Sequence, residues 1–193
     1  MKKIMFNDQY GLTEAVLYGR KTQTRRIAYE KHFKHIRSCG FCTEGKDKGK
    51  LIINDGNEIV AKSTYKMGEI VAVAQRYCDI PFANDIFIRA VPIGWSNKMF
   101  VKSDLMPHQI KITNIRCERL QDISTDDCMK EGIFCSHIDG FDDAYTYDAT
   151  FDRFVKKWWY KTPIEAYKML SCKLHLHWDS NPLVFVYDFI LVK

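Results

Sequence analysis

The chain has 193 residues, a net charge of +5, and 46% apolar and 13% aromatic residues. That length fits one domain and the composition excludes global disorder. No apolar run is longer than Leu183–Tyr187, far too short to span a bilayer, so no membrane partner is expected. The N-terminal residues turn polar at Asn7 without a signal-peptide hydrophobic stretch, and the seven cysteines are irregularly spaced. Free thiols and a cytoplasmic location are the expectation. Charge is uneven along the chain. Residues 1–50 hold twelve Lys/Arg against five Asp/Glu, while residues 121–152 hold nine acids and one base, Lys130. Such asymmetry suits a polyanion-binding face opposed by an acidic one, or two solvated surfaces that attract each other within the fold.

In chain order, Lys3–Phe6 reads as a short first strand. Asn7 or Asp8 caps a helix with Leu12, Ala15 and Val16 on one face, and Gly19 stands where a helix C-terminal glycine belongs. A strand follows over Lys21–Ile27. Asn54-Asp55-Gly56-Asn57, between Leu51–Ile53 and Ile59–Ala61, predicts a hairpin. Ile70–Ala74 reads as a strand buried on both faces. From Gln109 the apolar positions run Ile110, Ile112 and then change parity to Ile115, Cys117, which predicts a β-bulge. Ser124-Thr125-Asp126-Asp127 resembles a capping box opening a short helix that closes at Gly132, and Thr162-Pro163-Ile164-Glu165 is a second such box. Phe151, Phe154, Val155, Trp158 and Trp159 share one helical face and read as core, with Trp159 and Tyr160 at its margin. After Asn181-Pro182, Leu183–Val192 closes the chain as a strand. The expected fold class is α+β or a partly open barrel, with no run of βαβ units.

Gly19-Arg20-Lys21-Thr22-Gln23-Thr24-Arg25-Arg26 resembles the G-x-K-x-x-x-x-R signature of ASCH domains, relatives of the PUA RNA-binding fold. Three further blocks follow in the order that family shows. They are Tyr65–Val71, then Leu105–Pro107 with Arg119–Ser124 and Glu131–Ile133, and finally Asn181–Phe189. Together they cover about half the chain and look closest to versions carried by bacterial prophages. The resemblance implies a single domain over 1–193, a PUA-like, β-barrel-like sheet with flanking short helices. The sizeable loop inserts would fall at about 30–64, 78–107 and 133–163. It also implies a cleft containing Lys21, Thr24 and Arg26 beside the helix that ends at Glu131.

Two chemistries follow for that cleft. In a binding role, Lys21 and Arg26, with Arg25 beside them, hold phosphate, and Thr24 reads a base edge of RNA or a modified nucleoside. In a catalytic role, the resemblance extends to small bacterial amidohydrolases that deacetylate N4-acetylcytidine, whose lysine, threonine and glutamate match Lys21, Thr24 and Glu131. Thr24 would be the nucleophile, Lys21 its base if burial or neighbouring cations lower its pKa, and Glu131 the acid that protonates the departing amine. A third reading is a protein-interaction module using the acidic 133–152 loop.

Metal chemistry has one candidate set, His32-x2-His35-x3-Cys39-x2-Cys42. It lacks the long loop that separates ligand pairs in structural zinc sites, so no metal or other cofactor is assigned. His175 and His177 alternate with Leu174 and Leu176 and read as surface or packing residues. Asp139, Asp142, Asp143 and Asp148 lack the EF-hand order and read as a solvated loop.

Overall fold

The computed structural model describes residues 1–28, 38–56, 58–80, 93–136, 144–147 and 159–193. Its largest sheet comprises β1 (Lys3–Ile4), β2 (Gln23–Ile27), β6 (Ile70–Val73), β7 (Gln109–Arg119) and β10 (Leu183–Leu191), in the order β1-β6-β7-β10-β2. Only β1 and β6 pair in parallel; the other neighbours are antiparallel. A three-stranded sheet of β3 (Ser38–Phe41), β4 (Leu51–Asn54) and β5 (Ile59–Lys62) lies within the expected 30–64 insert. The pair β8 (Phe134–Ser136) and β9 (Ala144–Thr146) lies within the expected 133–163 insert. The helices are α1 (Leu12–Leu17), α2 (Thr125–Lys130) and α3 (Pro163–Lys173).

The α+β class holds. The barrel-like sheet is not a closed barrel: β1 and β2 end the sheet order, and no pairing among the described residues joins them. β1 is only two residues long, which leaves too little ladder to close a sheet on itself.

Period-two patterning accounts for most of the core. On β6, Val71 and Val73 enter the main cluster with Ile110, Ile112 and Val184, while Ala72 and Ala74 point the other way into a second cluster with Tyr77, Val101 and Met106. The strand is therefore buried on both faces, as its unbroken apolar run predicts. The second cover comes from the segment that precedes β7. The parity change in β7 is a real bulge: Asp188 pairs with Asn114, Phe189 pairs with Ile112, and Thr113 is left over. That extra residue lets Ile112 and Ile115 both reach the core. Leu51, Ile53 and Ala61 of the small sheet join the same main cluster.

Helix caps follow their sequence signals with two adjustments. Asn7 accepts a hydrogen bond from the Gln9 amide and caps a single 3-10 turn, Asp8–Tyr10, while α1 starts after Gly11. The Thr162–Glu165 box is complete in both directions. The Ser124 box is only half made. Ser124 accepts from the Asp127 amide, but the Asp127 carboxylate is taken up by ion pairs described below. The aromatic face at Phe151, Phe154, Val155 and Trp158 and the acidic loop residues Asp139, Asp142, Asp143 and Asp148 lie outside the described residues. Trp159 and Tyr160 are half-buried, and Tyr160 stacks on Tyr147 with ring centroids 6.3 Å apart.

Candidate functional site

The cleft forms where the start of β2 meets the end of α2. Gly19, at φ +72°, turns the chain out of α1. The Lys21 amide then donates to the Ala15 carbonyl at 2.8 Å, and the Thr22 amide to the Lys130 carbonyl at 2.9 Å. These two bonds fasten the residues leading into β2 between α1 and the C-terminus of α2. Glu131 is the C-cap of α2, and Gly132, at φ +102°, carries the chain away from it.

Lys21 is 2% exposed, and its Nζ donates 2.6 Å to Glu131 Oε2 and 2.7 Å to the Glu131 carbonyl. A carboxylate at a helix C-terminus works against the helix dipole, but here a cation sits on both the carboxylate and the terminal carbonyl. A second cation completes the neutralisation, since Arg25 Nη1 donates to Glu131 Oε1 at 3.0 Å. Burial pushes the Lys21 ammonium below the ordinary lysine value of 10.5; Glu131 pulls it up, and Arg26 and Arg25 add to the lowering.

Arg25 and Arg26 point to different surroundings because strand neighbours alternate. The Arg25 guanidinium is fully buried. Its Nε and Nη2 both reach Glu118, Nη1 reaches Gln23 and Glu131, and Nη2 also reaches Asp127. A guanidinium has five N–H donors, so this one is saturated within the chain. Burial alone would lower the Arg25 pKa, yet Glu131 and the other acids carry it above its ordinary range. Arg116 extends the same network to Glu118, Asp127 and Asp188. Arg26, by contrast, is half-buried, gives one Nη2 hydrogen bond to the Met5 carbonyl at 2.6 Å, and has no carboxylate partner among the described residues.

Lys21, Thr24, Arg25, Arg26 and Glu131 all line one cavity of about 480 Å³, within the size range of small-molecule sites. Thr24 is 4% exposed, and its hydroxyl makes no hydrogen bond among the described residues. The expected set is thus brought together, but with unequal roles: Lys21 and Glu131 are bonded to each other, Arg25 is committed to the scaffold, and Thr24 and Arg26 retain free polar atoms. Asp8 and Lys98 also line the cavity. Sequence reasoning did not find them as site residues. Asp8 carried a capping signal only, and Lys98 stands 90 residues away with no local pattern to mark it.

Of the candidate metal set, His32 and His35 lie outside the described residues. Cys39 interacts with Cys117 across the two sheets, and burial, with Cys39 beside it, pushes the Cys117 thiol up to about 12. Cys42 Sγ donates to the Glu44 carbonyl at 3.2 Å. Among the described residues no group of three or more His, Cys, Asp or Glu could hold a metal ion, and no helix is long and apolar enough to cross a membrane. His175 and His177 are both exposed, with φ of 56° and 53°.

No family model, curated protein or solved structure matches the chain.

Proposed function

We propose that this chain is an ASCH-like, PUA-like protein that binds a nucleotide-derived ligand, either a modified nucleotide or an unstacked base of RNA, in the cleft around Lys21, Thr24 and Arg26. The observation that carries this reading is Arg26: a guanidinium lining a nucleotide-sized cavity with no carboxylate partner among the described residues. Its planar fork suits a phosphate through two parallel hydrogen bonds. Lys21 contributes less to the anion than its charge suggests. An ammonium has three donors, and Glu131 engages it twice, which leaves one to face the ligand. The Thr24 hydroxyl is free to donate to or accept from a base edge. Titration of the pure protein with nucleoside monophosphates and short RNA at several salt concentrations tests the proposal. Saturable binding that Arg26→Gln weakens supports it; no binding of either class removes it.

A second reading, hydrolysis of an N4-acylated cytidine-type amide, is favoured by one specific feature. The Thr24 hydroxyl, which makes no hydrogen bond among the described residues, shares the cavity with a lysine whose burial favours the neutral amine. In that reading Thr24 Oγ forms a bond to the acyl carbon while its proton passes to neutral Lys21. The C–N bond then breaks, and the leaving amine takes up the proton through the Lys21–Glu131 pair, joined at 2.6 Å. Water afterwards releases the acyl group from Thr24. Incubation with N4-acetylcytidine decides the matter: turnover lost in Thr24→Val establishes the hydrolase, and binding without turnover leaves the first reading alone.

A further inference from the structure

Part of the cleft wall carries polar chemistry that neither reading uses. Asp8 lines the cavity, with its side chain 38% exposed. Its Oδ1 accepts a hydrogen bond of 2.6 Å from Lys98 Nζ and one of 2.5 Å from the Thr13 hydroxyl. Lys98 Nζ also reaches Thr13 Oγ1 at 3.1 Å and the Phe6 carbonyl, so its three donors are all directed to the chain. One oxygen of the Asp8 carboxylate is thus pinned by two donors, while Oδ2 accepts no hydrogen bond among the described residues.

A carboxylate held by one oxygen and open at the other is a preoriented acceptor. It repels phosphate and attracts an N–H group, the reverse of the preference at Arg26 in the same cavity. The Thr24 hydroxyl opens into the same cavity and makes no hydrogen bond among the described residues, so it offers a ligand a second polar group beside Asp8 and Arg26.

We infer that Asp8 selects the ligand by accepting a hydrogen bond from an N–H group of its base, with Lys98 as the positioning residue that holds the carboxylate. The inference rests on the nucleotide reading and deepens it: Arg26 takes the anionic part of the ligand, and Asp8 takes an amino-bearing base edge. A Lys98–Asp8 pair that merely tied the N-terminal segment to the residues before β7 would stabilise the fold without affecting which nucleotide binds.

Calorimetric titration of the full chain tests this. The probes are cytidine and adenosine 5′-monophosphates and their N4,N4-dimethyl and N6,N6-dimethyl derivatives, which lack the exocyclic N–H. The wild type is expected to bind at least one parent nucleotide about tenfold more tightly than its dimethyl form, the scale of one hydrogen bond to a charged group. Asp8→Asn should remove most of that ratio by weakening the parent alone. Lys98→Met should do the same, with Lys98→Arg restoring it, and Arg26→Gln should weaken parent and derivative alike. Thermal unfolding of each variant confirms that it folds. If the parent and dimethyl forms bind the wild type equally, the inference is overturned while the nucleotide reading stands. A ratio that persists in Asp8→Asn is steric and also overturns it. If the wild type binds none of these nucleotides, the inference is overturned, and the nucleotide reading is then decided by the RNA titration.

Discussion

Arg25 and Arg26 are adjacent and chemically identical, yet one is fully committed to four protein partners and the other keeps its charge free. Strand alternation separates them, and what each meets on its own face decides its role. The same comparison applies to Lys21 and Thr24. Removing one partner of a buried ion pair leaves an uncompensated charge, so Lys21→Ala is expected to cost about 3 kcal/mol in urea unfolding, with Arg25 limiting the damage. Thr24 makes no internal hydrogen bond, so Thr24→Val is expected to change stability by less than about 1 kcal/mol. Under the hydrolase reading the same variant loses all turnover, which makes it the cleaner probe of function. That reading also fixes a pH dependence. Turnover should rise with pH as Lys21 loses its proton, with a midpoint below the ordinary value of 10.5.

Helix ends and one strand irregularity do the positioning at the level of elements. Gly132 leaves α2 at φ +102°, a conformation that L-residues avoid. A Cβ there would stand 3.4 Å from Leu12 Cδ2 and 3.6 Å from Lys21 Cβ, which is ordinary contact, so backbone strain rather than crowding sets the cost. Gly132→Ala is expected to lose at least about 1 kcal/mol in thermal unfolding. The complete capping box of α3 makes Thr162→Ala a comparable loss of about 1 kcal/mol by the same measurement. The bulge at Thr113 was legible in the sequence because a parity change in an apolar alternation has few other causes. The failure of the Ser124 box to close was not legible. Asp127 occupies its reciprocal position, but Arg25, Arg116, Gln23 and Lys130 all reach that carboxylate first.

For the whole molecule, the net charge of +5 overstates the positive potential available to a ligand. Lys21, Arg25 and Lys98 line the cavity already paired with acids, and Arg26 alone among these cations is not. Binding of a short single-stranded RNA should therefore show a shallow salt dependence, with log K falling by about 0.7 per unit of log salt concentration, the slope of one neutralised phosphate. The acid network behind the cleft also links stability to pH. Burial alone would raise the Asp127 carboxyl, but Arg116, Gln23, Lys130 and Arg25 together hold it below its ordinary value of 3.8. A depressed carboxyl contributes stability that is fully present above the unfolded value and is lost as pH falls through the lower folded one. The urea midpoint is expected to drop between neutral pH and about pH 3, and the drop to be smaller in Asp127→Asn.

Amino-acid sequence alone places the elements whose signals are local. The two-sided burial of β6, the bulge in β7, the α3 cap and the α+β class follow from apolar periodicity and capping chemistry, which act over a few residues. It also brought Lys21, Thr24, Arg26 and Glu131 together as candidates, although only through a motif resemblance. Which of those groups are free depends on long-range packing. Pairing of Lys21 with Glu131 spans 110 residues and that of Lys98 with Asp8 spans 90. Nothing in the residues flanking either partner encodes such a contact, because it is set by how sheets and helices pack rather than by local propensity. Openness of the sheet is decided at the same level, since closure depends on strand length and register across the whole molecule.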